Sequence, residues 1–270
     1  MKFSICSPVY YDKEAPENER QPRYEMFLRC ASSVLSQTFD DWQWVIVDDI
    51  CNPPVEEVLK DIIPASKLKV VRLPEKGGRM RARNQAMEAA EGEWITWLDA
   101  DDEYSSLYLQ AFNEAINLFP EYKAFNCNHL VFHYDYQVSV RKFLNMETIG
   151  DSPFGSGTIG AGAYIFHKSV FEDIGPIPEK GLWDFADHAF EEFPEIKPFF
   201  WVESLKSHNS LGNPWGEDYY YFYKLTRKYQ CKYLDTALYF VHSHFDHRWP
   251  ENPDYLIGEG KKPEWNPKIR

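Results

Sequence analysis

The first hundred residues repeat one pattern, a short apolar run followed by a stretch with helical spacing, and two of those runs end on aspartates. Lys2 to Tyr10 alternates and then ends in Pro8, which reads as a first strand. Trp44-Val45-Ile46-Val47 is a short buried strand ending on Asp48-Asp49, and Leu68 to Leu73 is a third. Trp94 to Leu98 is a fourth, ending in Asp99-Ala100-Asp101-Asp102. Charged, proline-bearing residues from Tyr11 to Pro22 read as a loop. Tyr24 to Gln37 then places Met26, Phe27, Cys30, Ala31, Val34 and Leu35 at helical intervals. Val55 to Ile63 is a second helix, Gly77-Gly78 starts a turn into an alanine-rich helix over Met80 to Ala90, and a further helix is predicted over Ser106 to Phe119. Strands alternating with helices imply an α/β fold, with a mostly parallel sheet covered on both faces. Such sheets bind ligands beyond the carboxyl ends of their strands. Both acidic clusters fall at such ends.

After Glu121 the pattern changes. Ala124 to Tyr136 and Gln137 to Leu144 look antiparallel, and Gly155-Ser156-Gly157-Thr158-Ile159-Gly160-Ala161-Gly162 follows. Ala163 to Phe166 reads as a strand, Lys168 to Ile174 as a short helix, Glu217 to Tyr229 as a helix and Tyr233 to His242 as a last strand. Residues 181–211 are aromatic and proline-broken, without periodicity. The 270 residues fit a single domain, with a first half over 1–105, a mixed second half over 106–245 and a tail over 246–270.

Bulk chemistry removes several classes of function. A net charge of −13 argues against nonspecific nucleic-acid binding, which needs a basic stripe. Five widely spaced cysteines without a CxxC pair argue against a cysteine zinc site. No apolar run approaches the roughly 20 residues of a membrane span, and Met1 to Cys6 runs straight into a strand without a signal peptide. A reduced, cytoplasmic location is the expectation. Aromatic residues, 17% of the chain, suit stacking on flat ligands and sugar faces as well as core filling.

Asp99 and Asp101 lie two apart in an extended backbone, so both side chains can share one face. Hard oxygen ligands of this kind select Mg²⁺ or Mn²⁺, usually bridged to phosphates. A bare pair of this type reads equally as an acidic turn or as a cap, by Asp101 or Asp102, on the helix that follows.

The surrounding residues decide between these readings. Ser33-Val34-Leu35-Ser36-Gln37-Thr38-Phe39-Asp40-Asp41, then Val45 to Asp49, Ala82-Arg83-Asn84 with Ala86, Ala90-Glu91-Gly92-Glu93-Trp94-Ile95 and Leu98 to Asp102 resemble, in order, the family 2 glycosyltransferases of the GT-A fold. The resemblance implies a Rossmann-like sheet with a mixed C-terminal acceptor region. It implies an inverting enzyme, a nucleotide-sugar donor (often a uridine diphosphate sugar) and a divalent metal, Mn²⁺ or Mg²⁺. On the same footing Pro8, Tyr10 and Asp49 line the nucleotide pocket, with Asp48 the competitor for the base contact. Asp99 faces the ribose, Asp101 holds the metal, and Arg79 or Arg83 offsets phosphate charge, Arg83 serving equally as an anchor for its helix. One departure stands out: family members commonly read Asp-Gly-Ser after the strand-two acids, and here Ile50-Cys51-Asn52 follows, which turns less freely than glycine.

Trp215-Gly216-Glu217-Asp218 resembles the family's Glu-Asp motif. That makes Asp218 the expected general base for a sugar hydroxyl, with Glu217 positioning a hydroxyl of donor or acceptor; helix capping is the alternative. His244, or else His242, is expected as a further metal ligand, with His247 nearby. The glycines of 155–162 are expected to let backbone approach a ligand. Trp183, Phe185, Phe199, Phe200, Trp201 and Trp215 are expected as an acceptor wall. The acceptor is a glycan or another hydroxyl, with protein, lipid-linked glycan and a modified nucleobase still open. The competing functions are a sugar-phosphate nucleotidyltransferase and a noncatalytic nucleotide-sugar-binding relative. A nucleotidyltransferase normally carries a Gly-rich basic loop after strand one, where this chain has Pro8-Val9-Tyr10-Tyr11-Asp12.

Overall fold

A computed structural model describes residues 1–14, 23–132, 138–141, 161–179, 191–192 and 217–242. The strands are β1 (Phe3–Val9), β2 (Trp42–Asp48), β3 (Leu68–Arg72), β4 (Trp94–Trp97), β5 (Glu103–Tyr104), β6 (Ala124–Phe132), β7 (Val138–Arg141), β8 (Tyr164–His167) and β9 (Cys231–His242). The helices are α1 (Arg23–Leu35), α2 (Val55–Leu59), α3 (Gly78–Ala89), α4 (Tyr108–Leu118), α5 (Lys168–Ile174) and α6 (Glu217–Lys228).

One nine-stranded sheet runs in the order β3-β2-β1-β4-β8-β6-β9-β5, with β7 added to β6. Strands β1 to β4 are mutually parallel, β8 is antiparallel to both β4 and β6, β9 is parallel to β6, and β5 is antiparallel to β9. The chain leaves β1 in one direction, through β2 and β3, and returns to lay β4 on the other side. This reversal is a topological switch point, where the crevice beyond the strand ends opens. Here that crevice lies beyond Val9 and Trp97.

The buried apolar runs explain why the parallel half forms. Every residue of β2 and β4 is buried, as expected of strands covered on both faces. In α1, Met26, Phe27, Cys30, Ala31 and Val34 face the core as the spacing predicts, whereas Leu35 is exposed. α2 stops at Leu59, short of the predicted Ile63, in a turn leading to Pro64; the residue before a proline is disfavoured in helix. α3 begins at Gly78, whose φ of 78° suits glycine alone, so Arg79 lies in the first turn.

The second half packs aromatic residues on both faces of the sheet. Beneath α4, Tyr104 stacks on Tyr108 at 3.7 Å, and both hydroxyls meet Thr96 Oγ1, at 2.8 and 2.7 Å. Beneath α6, Tyr164 stacks on Phe222 at 4.0 Å, and Trp97 packs against Tyr221 and Phe222. β9 begins at Cys231, two residues before its predicted start. All five cysteines are buried and unpaired. Among the described residues no helix is long and apolar enough to cross a membrane.

Candidate active site

The two strand-two aspartates do different things. Asp48 is fully buried and accepts from Cys51 N at 2.6 Å, Val55 N at 3.0 Å and Arg72 Nη1 at 2.6 Å. Its carboxylate is consumed in shaping the 49–55 loop and the start of α2, so its part is structural. Asp49 accepts from Gly77 N at 2.6 Å and Gly78 N at 3.0 Å, which ties the end of β2 to the head of α3. Each of its oxygens keeps a second lone pair. Between them and the loop, Ile50 stands at φ 62°, making the turn that glycine makes more cheaply. Pro8 and Tyr10, at the end of β1, are partly buried, and Lys76 sits 3.8 Å over the Tyr10 ring. Lys76 was not singled out from sequence; only the loop length around Gly77 brings it there.

A chain of charges joins α3 to β4 and α6. Arg83 is 2% exposed, lies over the Trp97 ring at 4.7 Å and gives Nη2 to Asp99 Oδ1 at 2.8 Å. The same Nη2 is 3.5 Å from Glu217 Oε1, which Arg79 Nε reaches at 2.6 Å. Burial alone lowers the Arg83 pKa, but Asp99, Glu217, Asp218 and Tyr239 reverse this and hold the guanidinium charged. Burial drives the Glu217 carboxyl above its ordinary range against the pull of Arg79. Glu217 is thus enclosed by protein cations, a different setting from the hydroxyl contact expected of it. Asp218, the next residue, is partly exposed in the first turn of α6. Asn84 extends the chain: its side chain bonds the Ile177 backbone at both donor and acceptor and reaches Glu179 Oε1 at 2.9 Å.

A second group surrounds Asp101. Asp102 does not cap the following helix, whose N-cap is Leu107 without a side-chain bond. It is buried, accepts from the Tyr239 hydroxyl, and accepts from His242 N at 3.0 Å. β5, absent from the sequence reading because two residues carry no periodicity, pairs Glu103 and Tyr104 with Phe240 and Tyr239 of β9. Glu103 Oε1 lies 2.6 Å from His242 Nε2 and 2.8 Å from Arg29 Nε, and Arg29 Nη2 donates to the Asp101 carbonyl at 3.0 Å. Burial, then Arg29, lowers the His242 pKa against the pull of Glu103. The neutral ring therefore donates from Nε2 to Glu103, leaving the lone pair on Nδ1.

Gly162 shows what its glycine is for. A Cβ there would lie 2.3 Å from Tyr239 Cε2 and 2.8 Å from the Trp97 carbonyl. The close approach expected of the glycine-rich stretch is thus, at this position, an approach to the protein's own β4 and β9. Residues 155–160, His244, His247, Trp183, Phe185, Phe199, Phe200, Trp201 and Trp215 lie outside the described residues.

Among the described residues no group of three His, Cys, Asp or Glu is arranged to hold a metal ion by itself. Two carboxylates at one strand end nonetheless fit Mg²⁺ or Mn²⁺, which are commonly held by one or two carboxylates together with phosphate and water oxygens.

Residues 18–126 match the family model described as "Glycosyl transferase family 2". Over 106 residues the chain is 34% identical to the O-antigen biosynthesis protein RfbC of Myxococcus xanthus, covering 38% of this chain and 8% of that one. Over 92 residues it is 32% identical to the putative colanic acid biosynthesis glycosyl transferase WcaA of Escherichia coli, covering 33% of each. These matches span a third or less of the relatives' own length. Two crystal structures of S. aureus TarS residues 1–349 superpose, one with a TM-score of 0.60 and one, in complex with UDP-GlcNAc, with a TM-score of 0.59. Both cover 90% of this chain, and 60% and 59% of the TarS 1–349 chain, at 18% identity. The architecture is the GT-A fold. By its match over residues 18–126 and by its fold, the chain is similar to the family 2 glycosyltransferases.

Proposed function

We propose that this protein transfers a sugar from a nucleoside diphosphate donor, a UDP-sugar, to a hydroxyl of a glycan, with inversion. One observation carries the reading: at the switch point the Asp99 carboxylate, two arginines and Glu217, which Asp218 follows, meet through contacts of 2.6 to 3.5 Å. The family match over residues 18–126 supports the activity class. TarS, solved with UDP-GlcNAc, supports the donor class, and the names of RfbC and WcaA support a surface-glycan acceptor.

In this reading Pro8, Tyr10 and Asp49 border the base, and Asp99 faces the ribose. Asp101 holds Mn²⁺ or Mg²⁺, an ion that when bound neutralises charge on the departing diphosphate. Arg79, the more exposed arginine at 33% of its side chain against 2% for Arg83, turns its positive charge to the same phosphates. Arg83 instead orients Asp99. Asp218 accepts the acceptor's hydroxyl proton as the nucleophile attacks the anomeric carbon from the face opposite the leaving group. Inversion follows from that single displacement. Five buried cysteines without a disulfide among them suit a cytoplasmic site of action.

The test is transfer and hydrolysis of UDP-sugars with Mn²⁺ by wild type, Asp101→Ala and Asp218→Asn. Both variants are expected to fold normally. Asp218→Asn should lose roughly 10²-fold or more in kcat, the range of a general base, while still binding UDP. Near-normal transfer by Asp218→Asn defeats the assignment of the base. Pyrophosphate release from a nucleoside triphosphate and a sugar phosphate would instead identify a nucleotidyltransferase.

A further inference from the structure

The segment that carries Asp99 and Asp101 leaves β4 without a regular partner until β5, so something must hold its backbone. The holding groups come from α1. Cys30 Sγ lies 3.6 Å from the Asp99 carbonyl, Arg29 Nη2 donates to the Asp101 carbonyl at 3.0 Å, and Ser33 Oγ accepts from Tyr104 N at 3.2 Å. One turn further on, Gln37 donates to the Ser105 carbonyl at 2.8 Å and accepts from Leu109 N at 3.1 Å. Residues 29–30 and 33 form one stripe of α1, Gln37 follows two residues past its end, and together they bond the backbone between residues 99 and 109.

Arg29 stands apart within this stripe because one planar group makes two contacts of different kinds. Its Nη2 fixes the Asp101 carbonyl, while its Nε pairs with Glu103, which also receives His242 from the end of β9. The guanidinium therefore sets the spacing between the Asp101 backbone, β5 and β9. The direction in which the Asp101 carboxylate leaves the chain depends on that backbone.

We infer that Arg29 is a positioning residue for the divalent-ion site at Asp101, acting through the Asp101 carbonyl and Glu103. The inference rests on the metal-assisted donor reading above. Lysine at this position keeps the charge but cannot make both contacts, since it offers a point charge in place of a planar fork. That substitution therefore separates geometry from electrostatics: loss of charge near a cation site would tighten binding, whereas loss of the fork loosens it.

The experiment is titration of Mn²⁺ into the full chain with UDP present, following free Mn²⁺ by its electron paramagnetic resonance signal. Arg29→Lys should weaken apparent Mn²⁺ affinity about tenfold or more, the range for residues that orient metal ligands. Gln37→Ala, which cuts the lower rung of the same set of bonds, should lower the melting temperature yet leave Mn²⁺ affinity within about twofold, outside the range for such orienting residues. Wild-type affinity in Arg29→Lys overturns the inference, and so does an equal loss in both variants, which would make α1 a general scaffold. If the wild type takes up no Mn²⁺ with UDP, the metal reading itself falls, and this inference with it.

Discussion

At position 50 an isoleucine occupies a left-handed conformation with φ 62° and is 36% exposed. A left-handed residue with a Cβ costs about 1–2 kcal/mol, and a β-branched one has little to offset it. Ile50→Gly removes that strain and returns part of the gain as extra freedom in the unfolded chain. The expected net is a stabilisation of about 1 kcal/mol, a rise in Tm of roughly 2–4 °C, measured by thermal unfolding. An unchanged or lower Tm would show that the loop relies on the Ile50 side chain. Sequence alone showed that residues 50–52 depart from the usual glycine-bearing turn. It could not show that the turn forms regardless, because that depends on three donors converging on Asp48. Nor do adjacent identical letters reveal which of Asp48 and Asp49 faces inward. The backbone direction at the strand end settles it.

Helix α1 was legible as an amphipathic element, and its apolar stripe faces the core as the spacing implies. The polar residues of α1 and of the turn that follows it were read only as part of a motif. Ser33 and Gln37 are buried, and Gln37 satisfies two backbone groups of the segment after β5. Truncating it strands a carbonyl and an amide away from water, each costing about 1–3 kcal/mol when fully buried. Gln37→Ala should therefore lower stability by about 2 kcal/mol, read from the urea midpoint at unchanged m-value. A shift below about 0.5 kcal/mol, the scale of an ordinary surface substitution, would mean water replaces the side chain. Of the four parallel strands, β2 and β4 were legible as wholly buried runs, whereas β3 is partly exposed along its whole length. β5 was not legible, since Glu103 and Tyr104 are strand only because β9 lies beside them.

Across the molecule, acids gathered at the strand ends carry a measurable consequence for stability. Burial pushes the Asp102 carboxyl well above its ordinary range, and Asp101 and Asp99 add to this against the hydrogen bonds from Tyr239 and His242. The folded protein holds that proton to higher pH than the unfolded chain, whose aspartates titrate near about 4. Stability from this group is complete below that value and is lost as pH rises through the folded pKa, by up to about 1.4 kcal/mol per pH unit. Asparagine mimics the protonated form, with its carbonyl taking the His242 amide and its amide reaching the Tyr239 hydroxyl. In EDTA, Asp102→Asn should flatten the fall in urea midpoint between pH 5 and 8. Parallel pH profiles for variant and wild type would refute this.

Asp102 and Tyr239 are separated by 137 positions in the chain. Every motif by which the family is recognised precedes residue 105 apart from Glu217-Asp218, yet the clasp on the acids arrives with the last described strand. During synthesis at about 5–20 residues per second, Asp102 waits on the order of ten seconds for Tyr239 and His242. Over that interval the nascent chain carries its most recognisable segment with only the arginines of α1 and α3 to answer it, and the clasp closes when the chain's far end folds back upon it.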